Sequence, residues 1–384
     1  MIARAVSGLL RDYAAGFPVV GIFGPRQSGK TTLARTLFSD RPYVSIENLD
    51  TREFAAEDPR GFLSQYPSGA VFDEIQNVPE LLSYLQQIVD ESKVPGRYVI
   101  TGSRQYALRQ EVSQSLAGRI GQITLLPFSN GELKQAGLLP ENLNNLLYQG
   151  HYPPIYDRPV SPSAWYENYV ASYIERDVRQ LLSVRDLGTF QTFVRLCAGR
   201  TGQVLNFSAL GDDAGVSHNT AREWINVLEA GFIVHRLQPY HRSFNKRLIK
   251  SPKLHFFDAG LAAYLLGIRE PEQLQTHPLR GALFETAIVS EYLKHTHNYG
   301  SGLRLSYWRE RSGQEVDLIV ETADGITPVE IKSGATVSRD MLSGLQRWSS
   351  IAGPDSRTPT LVYGGIEEQT RSDTTIRSWR TPVT

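Results

Sequence analysis

Hydrophobic positions along the first third of the chain fall into short, dense runs separated by segments with helical spacing. Phe17 to Phe23 (FPVVGIF) is nearly continuous in apolar residues, as a strand of a parallel sheet buried on both faces must be. Thr31 to Phe38 (TTLARTLF) follows as good helix material, and Gly69–Phe72 and Arg97–Ile100 supply two further apolar strands. After Leu125–Phe128 the pattern changes. Residues 137–162 are rich in Pro, Asn and Tyr, include Gly150-His151-Tyr152-Pro153-Pro154, and read as a connector. The spacing then predicts a helix over 165–182, with Trp165, Tyr169, Tyr173, Val178 and Leu181 near one face and a solvated charged face opposite. Ser208–Val216 reads as a short helix ending in a glycine turn. Ser217 stands as N-cap of a helix to Glu229, and Ile233–Leu237 follows as a strand. The last third predicts an amphipathic helix from Arg280 to about His295, a strand at Leu303–Trp308, its hairpin partner at Gly313–Val320, and another strand at Thr327–Ser333.

The first strand is followed directly by Gly24-Pro25-Arg26-Gln27-Ser28-Gly29-Lys30-Thr31, with Thr32 next, matching G-x-x-x-x-G-K-[ST] without a gap. Strand, loop and helix thus stand in the order of a phosphate-binding loop. Gly24 and Gly29 let backbone N–H groups close around phosphate oxygens, and the helix N-terminus adds partial positive charge. In this pattern Lys30 reaches the β- and γ-phosphates of ATP and the Thr31 hydroxyl ligates Mg²⁺. The second strand ends in Asp73-Glu74. Asp73 is expected to hold the metal, directly or through water, and Glu74 to orient and deprotonate the attacking water. The third strand ends in Thr101-Gly102-Ser103-Arg104; Thr101 and Ser103 are both candidates to contact the γ-phosphate or that water.

With GPRQSGKT, VFDE and VITGS as two Walker motifs and a sensor-like strand, residues 1–135 resemble the AAA-type ATPases. That resemblance implies hydrolysis at a subunit interface of a homo-oligomer, such as a hexameric ring, with a neighbour's arginine completing the site. Arg119, within Ser115–Arg119 (SLAGR), is the first candidate for that arginine and Arg104 the second; Arg176 is a further arginine that could serve a nucleotide site. No clear sensor arginine stands in a helical lid.

Residues 207–232 have the helix, glycine turn and capped helix of a helix-turn-helix, and the following strand fits a wing. Ala230 to Phe257 contains no acidic residue, but does contain Arg236, Arg242, Lys246, Arg247, Lys250 and Lys253, interleaved with Tyr240, Phe244, Phe256 and Phe257. Such a stretch suits phosphate-backbone contact, with aromatics stacking on unpaired bases. Arg222 on the second helix, with Arg242, Lys246, Arg247, Lys250 and Lys253, forms the expected nucleic-acid surface. The competing reading places the aromatics in the core and uses the winged helix for protein docking.

In the last block, Asp317 on one strand and Glu330-Ile331-Lys332 on the next resemble the PD-(D/E)xK restriction-endonuclease-like fold. Alternation puts Glu330 and Lys332 on one face. The resemblance implies Asp317 and Glu330 as metal ligands, Glu285 completing the site from its helix, and Lys332 stabilising the charged transition state. The first acid stands as Val316-Asp317 where that pattern usually has Pro-Asp. The expected fold class is therefore α/β in four parts: an AAA-type ATPase domain (1–135), a helical connector or lid (136–200), a winged helix-turn-helix (201–270) and a nuclease-like α/β domain (271–384). As a whole the chain resembles prokaryotic AAA-type ATPases with a conserved C-terminal domain, through Asn245-Lys246-Arg247, Ser251-Pro252-Lys253, Phe257–Leu261 and Leu283-Phe284-Glu285 as well.

Composition narrows the function classes. Lys plus Arg number 40 against 40 Asp plus Glu, which excludes a generally cationic protein and leaves local patches open. The single cysteine, Cys197, lies in an apolar stretch and reads as a core residue; one cysteine allows neither an internal disulfide nor a multi-cysteine zinc site. No run approaches the ~20 apolar residues of a membrane helix, so no membrane partner and a cytoplasmic location are expected. The reading is an ATPase using ATP and Mg²⁺, coupled to DNA binding and remodelling. The alternatives are an ATP-gated metal-dependent nuclease and a nucleotide-controlled protein-docking switch.

Overall fold

The computed structural model describes residues 2–103, 115–174, 187–240 and 250–383, side chains at 173, 174 and 354 excepted. It divides into two compact units, one formed by Met1–Phe128, Ala230–Phe232 and His297–Gly300, the other by Ser129–Glu229, Ile233–Thr296 and Ser301–Thr384.

The first unit is built on a five-stranded sheet in the order β2-β3-β4-β1-β5, from β1 (Val19–Phe23), β2 (Tyr43–Ser45), β3 (Ala70–Asp73), β4 (Tyr98–Gly102) and β5 (Ile120–Thr124). Neighbouring strands are parallel throughout. Every residue of β1, β3 and β4 is buried, which explains their unbroken apolar runs. One apolar cluster joins Phe62, Phe72, Leu81, Leu85 and Tyr98; another joins Leu10, Ile22, Leu33 and Val99. Because β4 lies between β1 and β3, its C-terminal end stands between the loop after β1 and the acids after β3. That loop opens with Gly24 at φ +152°, where a Cβ would come 2.2 Å from the Leu125 carbonyl oxygen. It closes with Gly29 at φ +94°, the residue preceding the helix Lys30–Leu37. Both positions exclude larger residues for backbone reasons.

The second unit joins the connector, helix-turn-helix and C-terminal segments around one apolar cluster that includes Leu147, Trp165, Phe193, Trp224, Phe256, Phe284 and Val329. Cys197 is fully buried within it, as expected. The helix expected over 165–182 starts at Pro162, with Ser161 capping Ala164 N–H, and runs to Tyr169 before a π-helical turn at Val170–Ile174. Its continuation lies outside the described residues. The helices Phe207–Ala214 and His218–Ala230 are separated by Gly215 in the left-handed region, and Ser217 Oγ accepts from Thr220 N–H at 3.1 Å. Beside them β6 (Gln203–Val204), β7 (Val234–Leu237) and β8 (Lys253–Phe256) form an antiparallel sheet in the order β6-β8-β7.

The C-terminal sheet has the order β13-β14-β12-β11-β10-β9, formed by β9 (Arg304–Arg309), β10 (Glu315–Thr322), β11 (Gly325–Lys332), β12 (Thr360–Tyr363), β13 (Gln369–Arg371) and β14 (Thr374–Ser378). The strands β9, β10 and β11 form an antiparallel meander, and the helix Ser343–Ala352 lies in the crossover from β11 to the parallel β12.

Candidate functional sites

The carboxylate of Asp73, 5% exposed at the end of β3, is the focus of the first unit. Thr31 Oγ1 lies 3.1 and 2.9 Å from its two oxygens, the Tyr43 hydroxyl donates to Oδ2 at 2.6 Å, and Thr101 Oγ1 bonds Oδ1. Thr101 Oγ1 also accepts from the Glu74 N–H at 3.2 Å. Glu74 itself sits at φ 58°, ψ 48°, a left-handed conformation unusual for a non-glycine residue, which turns the chain sharply after the strand. Its carboxylate accepts from Ser103 Oγ at 2.9 Å and from the Gln76 amide. Thr101 and Ser103, left as alternatives by the sequence, therefore hold different partners: Thr101 the Asp73 carboxylate, Ser103 the Glu74 carboxylate.

Lys30 is buried, and its ammonium donates to the carbonyls of Gly24 (3.1 Å) and Pro25 (2.7 Å). Burial lowers its pKa to about 8, against the raising influence of Glu74 and Asp73, while Arg26 lowers it further. An ammonium held only by two carbonyls in a dry site is stabilised by any anion that enters. Ser28 Oγ is buried without a hydrogen-bond partner, as expected of a hydroxyl lining a phosphate cradle. Arg26, Gln27 and Gly29 are half-buried, Pro25 is buried and Thr32 is exposed. The donor set fits a nucleotide with its magnesium ion.

Sequence reasoning missed Tyr43, Gln76 and Arg4. Arg4 donates to the Ser28 carbonyl at 2.7 Å and to the Leu126 carbonyl at 2.6 Å, bracing the loop from outside. None belongs to a motif; the pairing of β2 with β3 brings Tyr43 to the site, while Gln76 stands two residues after Glu74. Arg119 does not approach the phosphate loop of its own chain. It stands at the start of β5, at the opposite end of the strands, paired with Asp90 at 2.5 and 2.9 Å. Arg104 and Arg176 lie outside the described residues.

In the second unit, Asp317 on β10 lies across the antiparallel ladder from Glu330 on β11, following the Leu318–Val329 pair. Lys332 Nζ joins them, 3.2 Å from Asp317 Oδ2 and 2.5 Å from Glu330 Oε1. Asp317 Oδ2 also accepts from the Ile331 N–H at 2.8 Å. Glu330 Oε2 is buried without a hydrogen-bond partner, and burial together with Asp317 pushes this carboxyl up, against Lys332. Glu285, from the helix Arg280–Tyr299, meets Asp317 as expected, but the third acid of the cluster is Glu315. Oxygens of Glu285, Glu315 and Asp317 lie within 4.8 Å of one another, a set that could hold a metal ion. Glu315 was legible in principle, since it stands two residues before Asp317 and shares its strand face.

The basic stretch needs correction. Lys253 was expected to face phosphates, yet its side chain is 2% exposed and its ammonium pairs with Glu285, Glu315 and Asp317. It belongs to the middle strand of its sheet, all four residues of which are buried. Tyr240, Phe256 and Phe257 are likewise buried, so these rings pack in the core and do not stack on bases. Arg236 pairs with Glu229, at 2.9 Å from its Nε. Arg222 and Lys250 are exposed. Arg242, Phe244, Lys246 and Arg247 lie outside the described residues.

Comparison with known proteins matches three stretches of the chain to family models. Residues 16–134 match an AAA domain, residues 140–272 a domain of unknown function (DUF8612), and residues 280–382 another (DUF4143). The first unit thus carries an AAA-type ATPase domain. The uncharacterized protein Rv2008c of Mycobacterium tuberculosis is 31% identical over 349 residues, covering 89% of this chain and 77% of that protein, and the chain belongs to its family. An uncharacterized protein of Haemophilus influenzae is 21% identical over 342 residues, 81% of each chain. Among solved structures, the Walker-type ATPase PABY2304 of Pyrococcus abyssi is similar at TM-score 0.47 and 16% identity, over 69% of this chain and 96% of that one. Among the described residues no helix is long and apolar enough to cross a membrane.

Proposed function

We propose that the protein binds ATP with Mg²⁺ at the loop Gly24–Thr32, hydrolyses it, and couples the cycle to binding and remodelling DNA as a homo-oligomer. The observation that carries the ATPase reading is the convergence of Thr31, Tyr43 and Thr101 on the Asp73 carboxylate beside the buried Lys30. The magnesium ion supplies charge neutralisation on the phosphates. Thr31 and Asp73 hold it, Lys30 and the backbone N–H groups of the loop bind phosphate oxygens, and Glu74 takes the proton of the attacking water. Ser103 and Gln76 position that carboxylate until water and nucleotide arrive. Glu74→Gln is expected to retain ATP binding while slowing hydrolysis about 100-fold or more, as loss of a general base does. Nucleotide affinity and single-turnover hydrolysis measure the two effects, and a variant hydrolysing at the wild-type rate removes Glu74 from this role. A neighbour's Arg119 would complete the site only after releasing Asp90.

The DNA reading is supported by the exposed Arg222 on the second helix of the helix-turn-helix and by the exposed Lys250. Each is expected to contribute through phosphate contact, so Arg222→Glu with Lys250→Glu should weaken DNA binding at low salt and flatten its salt dependence. Unchanged binding of single- and double-stranded oligonucleotides would instead favour a protein-docking role for this element. The second reading, metal-dependent phosphodiester hydrolysis, is favoured by the clustered Glu285, Glu315 and Asp317 with Lys332 alongside. There the carboxylates would hold a divalent cation and Lys332 would stabilise charge on the phosphate. DNA cleavage with Mg²⁺ or Mn²⁺ that is lost in Asp317→Ala tests it; equal cleavage by both proteins counts against this site.

A further inference from the structure

The carboxylate cluster of the second unit already contains a cation supplied by the chain itself. Lys253 reaches it from β8, the central strand of the sheet beside the helix-turn-helix. Its ammonium lies 2.7 Å from Glu285 Oε1 and 3.8 Å from Asp317 Oδ1, and pairs with Glu315. His255, two residues along the same face of β8, is also buried. Its Nδ1 bonds Thr286 Oγ1 at 3.1 Å, while Nε2 has no hydrogen-bond partner and stops 3.8 Å from Glu285 Oε1. A buried, unpartnered imidazole nitrogen thus stands beside Glu285, next to the set of three carboxylates.

An ammonium and a divalent ion cannot occupy the same few oxygens. Lysine brings one charge on a flexible stem and donates hydrogen bonds, whereas a divalent ion brings two charges and draws oxygens to roughly 2.0–2.6 Å. Three carboxylates balanced by Lys253, with Arg309 3.3 Å from Glu315 Oε2 and Lys332 on Asp317, leave little uncompensated charge to attract metal. We propose that Lys253 is a built-in counter-ion that closes the Glu285–Glu315–Asp317 cluster to divalent metal. The inference rests on the reading of this cluster as a cation site.

Lys253→Met keeps the apolar stem and removes the charge. On the full chain without nucleotide, calorimetric titration is expected to show Mn²⁺ binding roughly tenfold or more tighter in this variant than in wild type. Mn²⁺ should also raise the melting temperature of the variant alone, and adding Asp317→Asn should cancel both gains. Equal affinities in wild type and Lys253→Met, each lost with Asp317→Asn, overturn the role of the lysine and leave the metal site standing. No Asp317-dependent binding in either protein overturns the metal reading and this inference with it. If Lys253→Met does not fold, Lys253→Gln takes its place: tighter, Asp317-dependent Mn²⁺ binding than in wild type supports the closed cluster, and affinity equal to wild type overturns the role of the lysine.

Discussion

Lys30→Ala is expected to reduce ATP hydrolysis by at least about 100-fold, the scale of losing a positioned donor to developing negative charge. Its ammonium donates to the Gly24 and Pro25 carbonyls and feels the charges of Glu74 and Asp73. Burial lowers its pKa to about 8, so in the absence of an anion the charged form is disfavoured there. Removing it should therefore cost the fold little, and the melting temperature should stay near that of wild type. Nucleotide affinity should fall together with turnover, because the same ammonium binds ground-state and transition-state phosphate. A folded Lys30→Ala protein hydrolysing ATP at the wild-type rate would refute the assignment of the loop.

The largest effect on stability is expected at Asp258, which follows β8 and caps the helix Ala259–Leu265. Its carboxylate is buried and accepts from the His151 N–H at 2.7 Å, the Tyr166 hydroxyl at 2.6 Å and the Leu261 N–H at 2.8 Å. Gly150 makes room for this node: at φ +65° it has Asp258 Oδ1 only 2.4 Å from where a Cβ would lie. Burial pushes the Asp258 carboxyl up, but hydrogen bonding and charge from His151, with the bonds from Tyr166 and Leu261, outweigh it and hold the group below its ordinary value. Asp258→Ala leaves buried donors without an acceptor, at a cost of about 3–5 kcal/mol, the range for removing one partner of a buried charged network. Urea unfolding of wild type and variant measures it; a difference below about 1 kcal/mol would show that water replaces the carboxylate. The pH dependence has a definite sign. A depressed folded-state pKa contributes stability above the unfolded value of about 3.9, and loses it as pH falls toward the folded value. Wild type should therefore lose more stability than Asp258→Ala on acidification below about pH 4.

The grouping of Lys30, Thr31, Asp73, Glu74, Thr101 and Ser103 was legible because its parts are local strings. Gly24–Thr31 carries its own backbone requirements, and Asp73-Glu74 and Thr101–Ser103 each sit at the end of an apolar run. Tyr43 was invisible because only the pairing of β2 with β3 brings it to Asp73, whereas Gln76 stands two residues after Glu74 and was legible in principle. The helix-turn-helix elements were legible from Gly215 and Ser217, whose turn and cap chemistry act within a few residues. Lys253 misled for the opposite reason. An acid-free stretch looks like a phosphate surface, but the acids that neutralise this lysine lie 32, 62 and 64 residues further along the chain, at Glu285, Glu315 and Asp317. Phe256 beside Lys253 followed the same logic, since all four residues of β8 are buried whatever their chemistry.

The most direct test of the account is steady-state ATP hydrolysis by the full chain with Mg²⁺, alone and with single-stranded, double-stranded and branched DNA, with oligomeric mass recorded under the same conditions. The account predicts hydrolysis that requires Lys30, rises when at least one of these DNA forms is added, and accompanies assembly beyond the monomer. Hydrolysis that no DNA form alters would contradict the coupling to nucleic acid, and absence of Lys30-dependent hydrolysis under every condition would contradict the ATPase itself.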